Sequence, residues 1–411
     1  MVESAKVLKN KHYAKKEKNG EFQRLTGFEK SREKGKFVMM SQKLYTKIDE
    51  LDELPSPDAN GVISRYVFQY IDFKKAPQYV AAKHVFSDCC FMGCVIPTEM
   101  EGEIGQDCLI FPKMGKLYQA FATKLYSGET LYSGYDPSDE ESYKTCFDFQ
   151  VYTDYMEKGK RCSDLIETLA RSLHDRAISD AMDTFLSHFD EKQMVAVMGG
   201  HSLLRTDDSF RQVALISKNL TELGKVMASG GGPGAMEATH FGAWMAGRST
   251  SEFDTALELL KAAPSFKDPG WLRTAFEVMA AYPQTTFRSL GIPTWFYGHE
   301  PSTPFATDIA KYFMNSLREA LLLSISRGGV IFSPGSAGTL QEIFQDAALN
   351  HYESVGQPGP MIFLGTDYYT KEVPIYPLLE SLHENGTYKG LLLSITDSNE
   401  EIINTILSFS E

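Results

Sequence analysis

Three glycine-rich segments carry the residue types that can bind a phosphate group. They lie at 199–202, 230–234 and 334–339, and each follows a short apolar run and precedes a helical pattern. Glycine allows the backbone to approach an anion closely, and the free N–H groups at a helix start, with the helix dipole, favour a phosphate. One such segment is weak evidence, because tight strand-to-helix turns also use glycine. Three of them in one region predict a phosphate or nucleotide ligand.

Glu342 stands close to the third segment and could act in catalysis. It follows Thr339 by three residues, so it should lie in the first turns of the helix that begins there. A carboxylate beside a bound anion is costly for stability but useful for chemistry. Alternatively, Glu342 is an acidic residue that complements the helix dipole, and spacing alone slightly favours this second interpretation.

The elements that must position these segments alternate between strands and helices from residue 194 onward. This order predicts a doubly wound, Rossmann-like parallel α/β sheet with helices on both faces over residues 191–411. In such a sheet, ligands bind outside the carboxyl ends of the strands, where the three segments would gather. The predicted strands are 194–198, 226–229, 294–297, 329–333, 360–364 and 391–395. The predicted helices are one that carries Phe210, Val213, Ile216, Leu220 and Leu223, then 235–246, one beginning after 339, and 400–409.

Residues 248–290 interrupt the alternation. They contain two predicted helices, 252–262 and 271–281, and form a predicted insertion between core strands. A lid, an interface and a plain decoration are all compatible with this pattern.

The first 190 residues have a different character. We expect a mixed, β-rich α+β domain of unknown role at 37–160 and a helical bridge at 161–190, where leucines recur at helical spacing. The candidate strands of the first part are short runs of aromatic and β-branched residues at 66–73, 91–96 and 108–111.

Charge is unevenly distributed along the chain. Residues 1–36 contain 11 Lys/Arg and 5 Asp/Glu, whereas the rest contains 30 and 49, within a net charge of −13. We expect residues 1–36 to be a solvated, flexible leader, with a nucleic-acid or partner contact as the alternative. Because the body is acidic, neither nucleic acid nor an anionic membrane is an expected partner.

Other features argue against several classes of protein. No apolar run approaches the roughly 18–20 residues of a membrane span, and no signal peptide is recognisable. All six cysteines precede residue 163, and Cys90 and Cys94 have the only paired-ligand spacing, so no metal site is expected. Reduced thiols in the cytoplasm are the expectation. At 411 residues, the chain is long enough for at least two cores.

The glycine-rich segments resemble motifs of the Lonely Guy family, once labelled lysine decarboxylase-like. Residues 333–342 read Ser-Pro-Gly-Ser-Ala-Gly-Thr-Leu-Gln-Glu and look like its PGGxGTxxE signature, and residues 229–237 resemble its upstream GGGxxGxM loop. Gly-Gly-His-Ser at 199–202 is similar to the larger members, the purine/pyrimidine nucleotide 5′-monophosphate nucleosidases. The resemblance covers roughly residues 190–370. It implies a phosphoribohydrolase, which converts a nucleoside 5′-monophosphate and water into a free base and ribose 5-phosphate.

The resemblance also implies roles for individual residues. Glu342 would stabilise the positive charge that develops on the ribose and orient or deprotonate the attacking water. Arg318 matches the arginine of the family's Arg-Lys pair and would hold phosphate or polarise the substrate. His201 is a candidate general acid toward the base, with a hydrogen-bonded structural role as the alternative. No metal or cofactor is implied, and a homo-oligomer is. The predicted substrate-binding residues are Gly199, Gly200, His201, Ser202, Gly231, Gly232, Gly234, Met236, Gly335, Ser336, Ala337, Gly338 and Thr339.

Two positions depart from the family pattern. Glu319 stands where lysine is usual, and Ser336 replaces the second glycine of PGG. The first removes a positive charge near the predicted site, and the second adds a side chain to the loop. A non-catalytic nucleotide sensor is therefore the alternative function. Asp346 shows no pattern that distinguishes it from a surface charge.

Overall fold

The first part of the chain in the computed structural model winds into a short stack of parallel strands. The structure describes residues 45–410, so the leader predicted at 1–36 lies outside the described residues. Phe68 pairs with Ile48 on one side and with Phe91 on the other, and the two phenylalanine rings stack with centroids 5.0 Å apart. The strands are β1 (Thr46–Ile48), β2 (Val62–Ser64), β3 (Tyr66–Gln69), β4 (Val85–Ser87), β5 (Cys90–Met92) and β6 (Leu109–Phe111). Their order is β1-β3-β5-β6 in one sheet and β2-β4 in another, and all of these pairs are parallel.

Short helices connect these strands, and longer helices follow them. The longest of them begins after Asp164, whose carboxylate accepts hydrogen bonds from the N–H groups of Ile166 and Glu167. The α-helices are α1 (Pro77–Ala81), α2 (Thr98–Glu101), α3 (Gly128–Leu131), α4 (Phe147–Lys158) and α5 (Leu165–Leu186). The 3-10 helices are Leu51–Glu53, Phe73–Lys75, Glu140–Thr145 and Glu191–Gln193. The apolar face of α5 packs into the core of the sheet that follows it, so the predicted helix at 161–190 is present and joins the two halves.

The rest of the chain is built on a seven-stranded, all-parallel sheet. The strands are β7 (Met194–Met198), β8 (Val226–Ser229), β9 (Ser289–Gly291), β10 (Asp308–Ile309), β11 (Gly329–Phe332), β12 (Pro360–Leu364) and β13 (Leu392–Thr396). Their order is β10-β9-β8-β7-β11-β12-β13. Every residue of β7, β8, β11 and β12 is buried, because helices cover both faces of the sheet. This confirms the doubly wound prediction. The strand order reverses between β7 and β11, which is the position where such folds bind ligands.

Helices cover both faces of this sheet. α6 buries Phe210, Val213, Ile216 and Leu220 along one side, as its helical spacing predicts. The helices are α6 (Asp208–Glu222), α7 (Ala235–Trp244), α8 (Thr250–Leu260), α9 (Trp271–Ala281), α10 (Asn315–Ile325), α11 (Ala337–Tyr352), α12 (Ile375–Glu384) and α13 (Asn399–Ser410), with a 3-10 helix at Trp295–Tyr297 and a π-helix at Tyr368–Glu372. No helix within residues 45–410 is long and apolar enough to cross a membrane.

One predicted strand is wrong. Residues 294–297 do not pair in the sheet as a strand, and Trp295–Tyr297 forms a 3-10 helix instead. The local strand is β9, which ends at Gly291. Pro293 lacks a backbone N–H, and the Thr294 hydroxyl accepts a hydrogen bond from the Phe296 N–H, so the chain turns here. The aromatic residues that suggested a strand serve packing, since Trp295 is fully buried.

The insertion at 248–290 contains the two predicted helices, α8 and α9. A buried network fixes it to the body of the domain. Arg205 donates from Nε to Glu237 Oε1 at 3.0 Å and from Nη1 to Thr274 Oγ1 at 2.9 Å, and Trp271 Nε1 donates to Glu237 Oε2 at 3.1 Å. Glu237 is on α7, whereas Trp271 and Thr274 are on α9. Buried hydrogen bonds of Arg205 and Glu237 with α9 therefore hold the insertion against the body of the domain.

Candidate active site

A pocket of about 370 Å³ opens at the carboxyl ends of β7, β8 and β11. It lies where the strand order reverses, as the fold leads one to expect. The side chains and backbone that line it come from five segments of the sheet domain. They are Val197, Met198, Gly199, Gly200, His201, Gly230, Met236, Tyr297, Glu300, Arg318, Glu319, Ser336, Ala337, Gly338, Thr339, Gln341 and Glu342. The structure thus brings all three predicted loops to one place.

The loop before α11 presents the start of a helix to the pocket. α11 begins at Ala337, and the first N–H groups of a helix have no partner within it, so they are available to a ligand. Ser336, Ala337 and Gly338 are exposed on the pocket wall. Gly335 lies directly behind them, and a Cβ there would collide with Thr339 Oγ1. A larger residue at 335 would therefore displace the loop.

Glu342 and Arg318 face each other across the pocket. Arg318 Nη1 lies 3.7 Å from Glu342 Oε1, and the two side chains are 14% and 12% exposed. Arg318 also donates from Nε to the Ile292 carbonyl at 3.2 Å, which fixes its direction. A separation of 3.7 Å is too long for a hydrogen bond, so the Glu342 carboxylate keeps its capacity to accept one from a ligand or water. The helix-dipole interpretation alone does not account for this placement in the pocket.

Burial governs the protonation of Glu342. Desolvation raises its pKa, the Arg318 charge opposes that rise, and the Glu319 charge adds to it. Glu319 is held in place by two amide donors, Asn315 Nδ2 at 2.6 Å and Gln341 Nε2 at 3.1 Å. The pocket therefore contains a fixed carboxylate at the position where the family pattern has a lysine.

The sequence reasoning missed one whole lining segment, which contributes Tyr297 and Glu300. Both residues lie between β9 and β10. Glu300 Oε1 lies 3.7 Å from His201 Nδ1 and 3.8 Å from His299 Nε2. The available signal was the polar run Tyr-Gly-His-Glu directly after an apolar stretch. The incorrect strand at 294–297 concealed it.

Several predicted binding residues lie behind the pocket wall. These residues, which do not line the pocket, are Ser202, Gly231, Gly232, Gly234 and Gly335. Gly234 has φ +70°, and a Cβ there would collide with the Gly200 carbonyl oxygen. Gly231 also has φ +70°, and its carbonyl accepts a hydrogen bond from the Thr303 N–H at 2.8 Å. These glycines shape the loops and let them approach one another. The other predicted residues line the pocket.

Asp346 lies one helical turn beyond Glu342 on α11. It is not a surface charge, because it is only 6% exposed, and Oδ2 has no hydrogen-bond partner among the described residues. Burial raises its pKa to about 7, with the charge of Arg327 opposing the rise. The α-helical period places it on the same side of α11 as Glu342. The sequence offered no sign of this burial, because the carboxylate faces the core without a polar partner.

Comparisons with known proteins add little to this description. No family model and no curated protein sequence matches the chain. Among solved structures, the chain is similar to the molybdenum cofactor binding protein from the phototrophic bacterium Rippkaea orientalis, with 18% identity and a TM-score of 0.33 over 53% of this chain and 97% of that chain. A likeness this weak carries no argument about ligand or activity. Within residues 45–410, no group of three or more His, Cys, Asp or Glu side chains is arranged to hold a metal ion.

Proposed function

We propose that this protein is a nucleoside 5′-monophosphate phosphoribohydrolase of the Lonely Guy type. One observation carries the proposal: the exposed amides at the start of α11, the Glu342 carboxylate and the Arg318 guanidinium converge on one pocket at the switch point of the sheet. The motif resemblance supports the same function. Free base and ribose 5-phosphate would be the products.

Each group in the pocket has a place in the reaction. The amides of residues 336–339 bind the 5′-phosphate, with Arg318 as the charged partner. The bond between C1′ and the base nitrogen breaks, its electron pair leaves with the base, and positive charge develops on the ribose ring. The Glu342 carboxylate stabilises that charge and accepts a proton from the water whose oxygen bonds to C1′. The departing base takes up a proton, for which His201 at the pocket wall is the candidate donor.

The pocket also accounts for a preference among phosphorylated ligands. It holds three glutamates, Glu300, Glu319 and Glu342, against the single guanidinium of Arg318. Carboxylates repel the additional charges of a diphosphate or triphosphate. We therefore expect a monophosphate to be the preferred substrate.

A direct assay tests the proposal. The protein is incubated with AMP, GMP, CMP and UMP, and chromatography detects free bases and ribose 5-phosphate. We expect release from at least one nucleotide, and Glu342→Gln is the matched variant because it keeps size and hydrogen-bonding capacity. Unchanged release by that variant would refute the assigned mechanism.

A nucleotide sensor without catalysis is the second candidate. The Glu319 carboxylate favours it, because it occupies the position of a cationic side chain and disfavours the ionised form of Glu342. Saturable binding of AMP by calorimetry without any released base would establish the sensor. Turnover at a rate that Glu342→Gln abolishes would exclude it.

A homo-oligomer belongs to the same proposal. Apolar side chains are exposed at both helices: Met314 just before α10 is 52% exposed, Leu317 on α10 is 36% exposed, and Tyr352 at the end of α11 is 73% exposed. Exposed apolar side chains are suited to burial against a second copy. Light scattering in solution gives the mass that checks this expectation. A monomer at micromolar concentration would contradict it.

A further inference from the structure

The segment between β9 and β10 has two distinct sides. One side carries Tyr297 and Glu300 into the pocket. The other side packs against residues of α3 and α4, which lie more than a hundred positions earlier in the chain. We call residues 293–304 the wall loop. Its place in the pocket depends on what holds its far side.

A buried polar network ties the wall loop to α4. Trp295 Nε1 donates to Asp148 Oδ1 at 2.8 Å, and Lys311 Nζ donates to Asp148 Oδ2 at 2.8 Å and to Ser302 Oγ at 2.9 Å. Each of these four residues is at most 3% exposed. Moving the loop away from α4 would break these hydrogen bonds and leave a buried charge unpaired. The network therefore holds Trp295 and Ser302, near the two ends of the loop, in place relative to α4.

Further contacts come from α3 and from the end of α4. The Tyr132 hydroxyl donates to the Ser302 carbonyl, and Gly128 lies so close to the Pro304 backbone that a Cβ would collide with it. Lys160 Nζ lies 3.9 Å from the centre of the Phe296 ring. The contact of the wall loop with the second glycine segment is the hydrogen bond from the Thr303 N–H to the Gly231 carbonyl. Residues 128–160 therefore supply several contacts of the loop, in addition to the rings of Tyr126, His174 and Phe313 that pack around Trp295.

We propose that residues 128–160 form part of the substrate pocket by holding the wall loop, with Tyr132 and Asp148 as positioning residues. The consequence for substrate binding rests on the proposed function. Tyr297 and Glu300 of the wall loop line the same pocket as the α11 amides, so a displaced loop weakens nucleotide binding. Glu342 and Arg318 are on α11 and α10, outside the wall loop, whereas His201 lies 3.7 Å from Glu300 of that loop. This gives the N-terminal half a role that its sequence did not reveal.

Two conservative variants separate positioning from stability. Tyr132→Phe removes only the hydroxyl that reaches the wall loop. Tyr118→Phe is the matched control, because Tyr118 is equally buried at 3% and its hydroxyl donates at 3.0 Å to Glu167, away from the loop. Hydrogen exchange of the peptide 293–304, followed by mass spectrometry, reports the loop without any turnover. Steady-state kinetics with AMP, or the AMP dissociation constant, reports binding.

We expect Tyr132→Phe to speed exchange in 293–304 and to raise KM roughly fivefold, the effect of losing one hydrogen bond, while kcat stays near the wild-type value. Tyr118→Phe should change neither quantity. Equal behaviour of the two variants, or faster exchange with an unchanged KM, would overturn the inference. If the wild-type protein releases no base, the proposed activity fails, and the exchange rates with the AMP dissociation constants still decide whether the loop is positioned for binding.

Discussion

The molecule contains two pairs of a carboxylate and a cation in different surroundings. One is the pocket pair of Glu342 and Arg318, and the other is the pair of Asp148 and Lys311 at the junction between α4 and the wall loop. In the junction, Asp148 accepts hydrogen bonds from Lys311 and Trp295 at 2.8 Å, and all three are buried. In the pocket, Arg318 and Glu342 are 3.7 Å apart. A saturated network resists change because breaking one bond leaves a buried charge unpaired. An incompletely paired carboxylate at a pocket wall can still accept a hydrogen bond from a ligand. The Asp148 network is therefore suited to holding the wall loop, and the Arg318–Glu342 pair is suited to binding a ligand.

The strongest test of this contrast breaks the saturated pair. Lys311→Met leaves the Asp148 carboxylate buried with only Trp295, and we expect the free energy of unfolding to fall by about 3–5 kcal/mol. Chemical denaturation measures the change. The double variant with Asp148→Asn removes the unpaired charge and should recover part of the loss. A single variant as stable as the wild type would show that the junction contributes nothing.

Removal of the pocket carboxylate should lower activity and leave stability unchanged. Glu342→Gln should lower kcat about 100-fold or more, because it removes the group that assists water and stabilises the ribose cation. The same variant should keep or slightly raise thermal stability, since burial already disfavours the charged form of Glu342. Base release and thermal unfolding are measured on one preparation. A large loss of stability would place Glu342 in the same class as Asp148.

Asp346 provides an intermediate case, a buried carboxylate without a partner. Its pKa of about 7 in the folded protein lies above the usual aspartate value of 3.8, so its contribution to stability is complete below pH 3.8 and is lost as the pH rises from there through 7. Asp346→Asn should therefore stabilise the protein by up to about 4 kcal/mol at pH 8 and have little effect at pH 4. Denaturation at the two pH values gives the difference. An effect of equal size at both would contradict the assigned burial.

The smallest expected effect concerns Glu319. Its charge raises the pKa of Glu342, so Glu319→Gln should shift the acid limb of the kcat/KM profile to lower pH. It should also lower the KM for AMP, because a negative charge near the phosphate is gone. Glu380→Gln, a change at a carboxylate away from the pocket, serves as a control. An unshifted limb would mean that Glu319 does not influence Glu342.

Much of the sheet domain was predictable because its signals are local. Met194–Met198 and Pro360–Leu364 are fully apolar runs, which are typical of strands covered by helices on both faces. Both predicted strands are confirmed. The strand at 294–297 failed because aromatic residues satisfy a strand pattern and a buried turn equally well. Of the pocket, the glycine loops and Glu342 were named from adjacent residues. Glu300 was not, because its neighbours in the pocket are distant in sequence.

The sequence by itself determined the local features of the sheet domain, namely the parallel strands, the glycine turns and a carboxylate close to a helix start. Those features depend on residues a few positions apart, so a linear reading contains them. The tertiary structure alone decided that Tyr297 and Glu300 line the pocket, that Asp346 is buried, and that Trp295 donates a hydrogen bond to Asp148. These outcomes depend on which distant surfaces pack together and on how completely each buried charge finds its partners. That is a property of the whole fold, and no spacing along the chain encodes it.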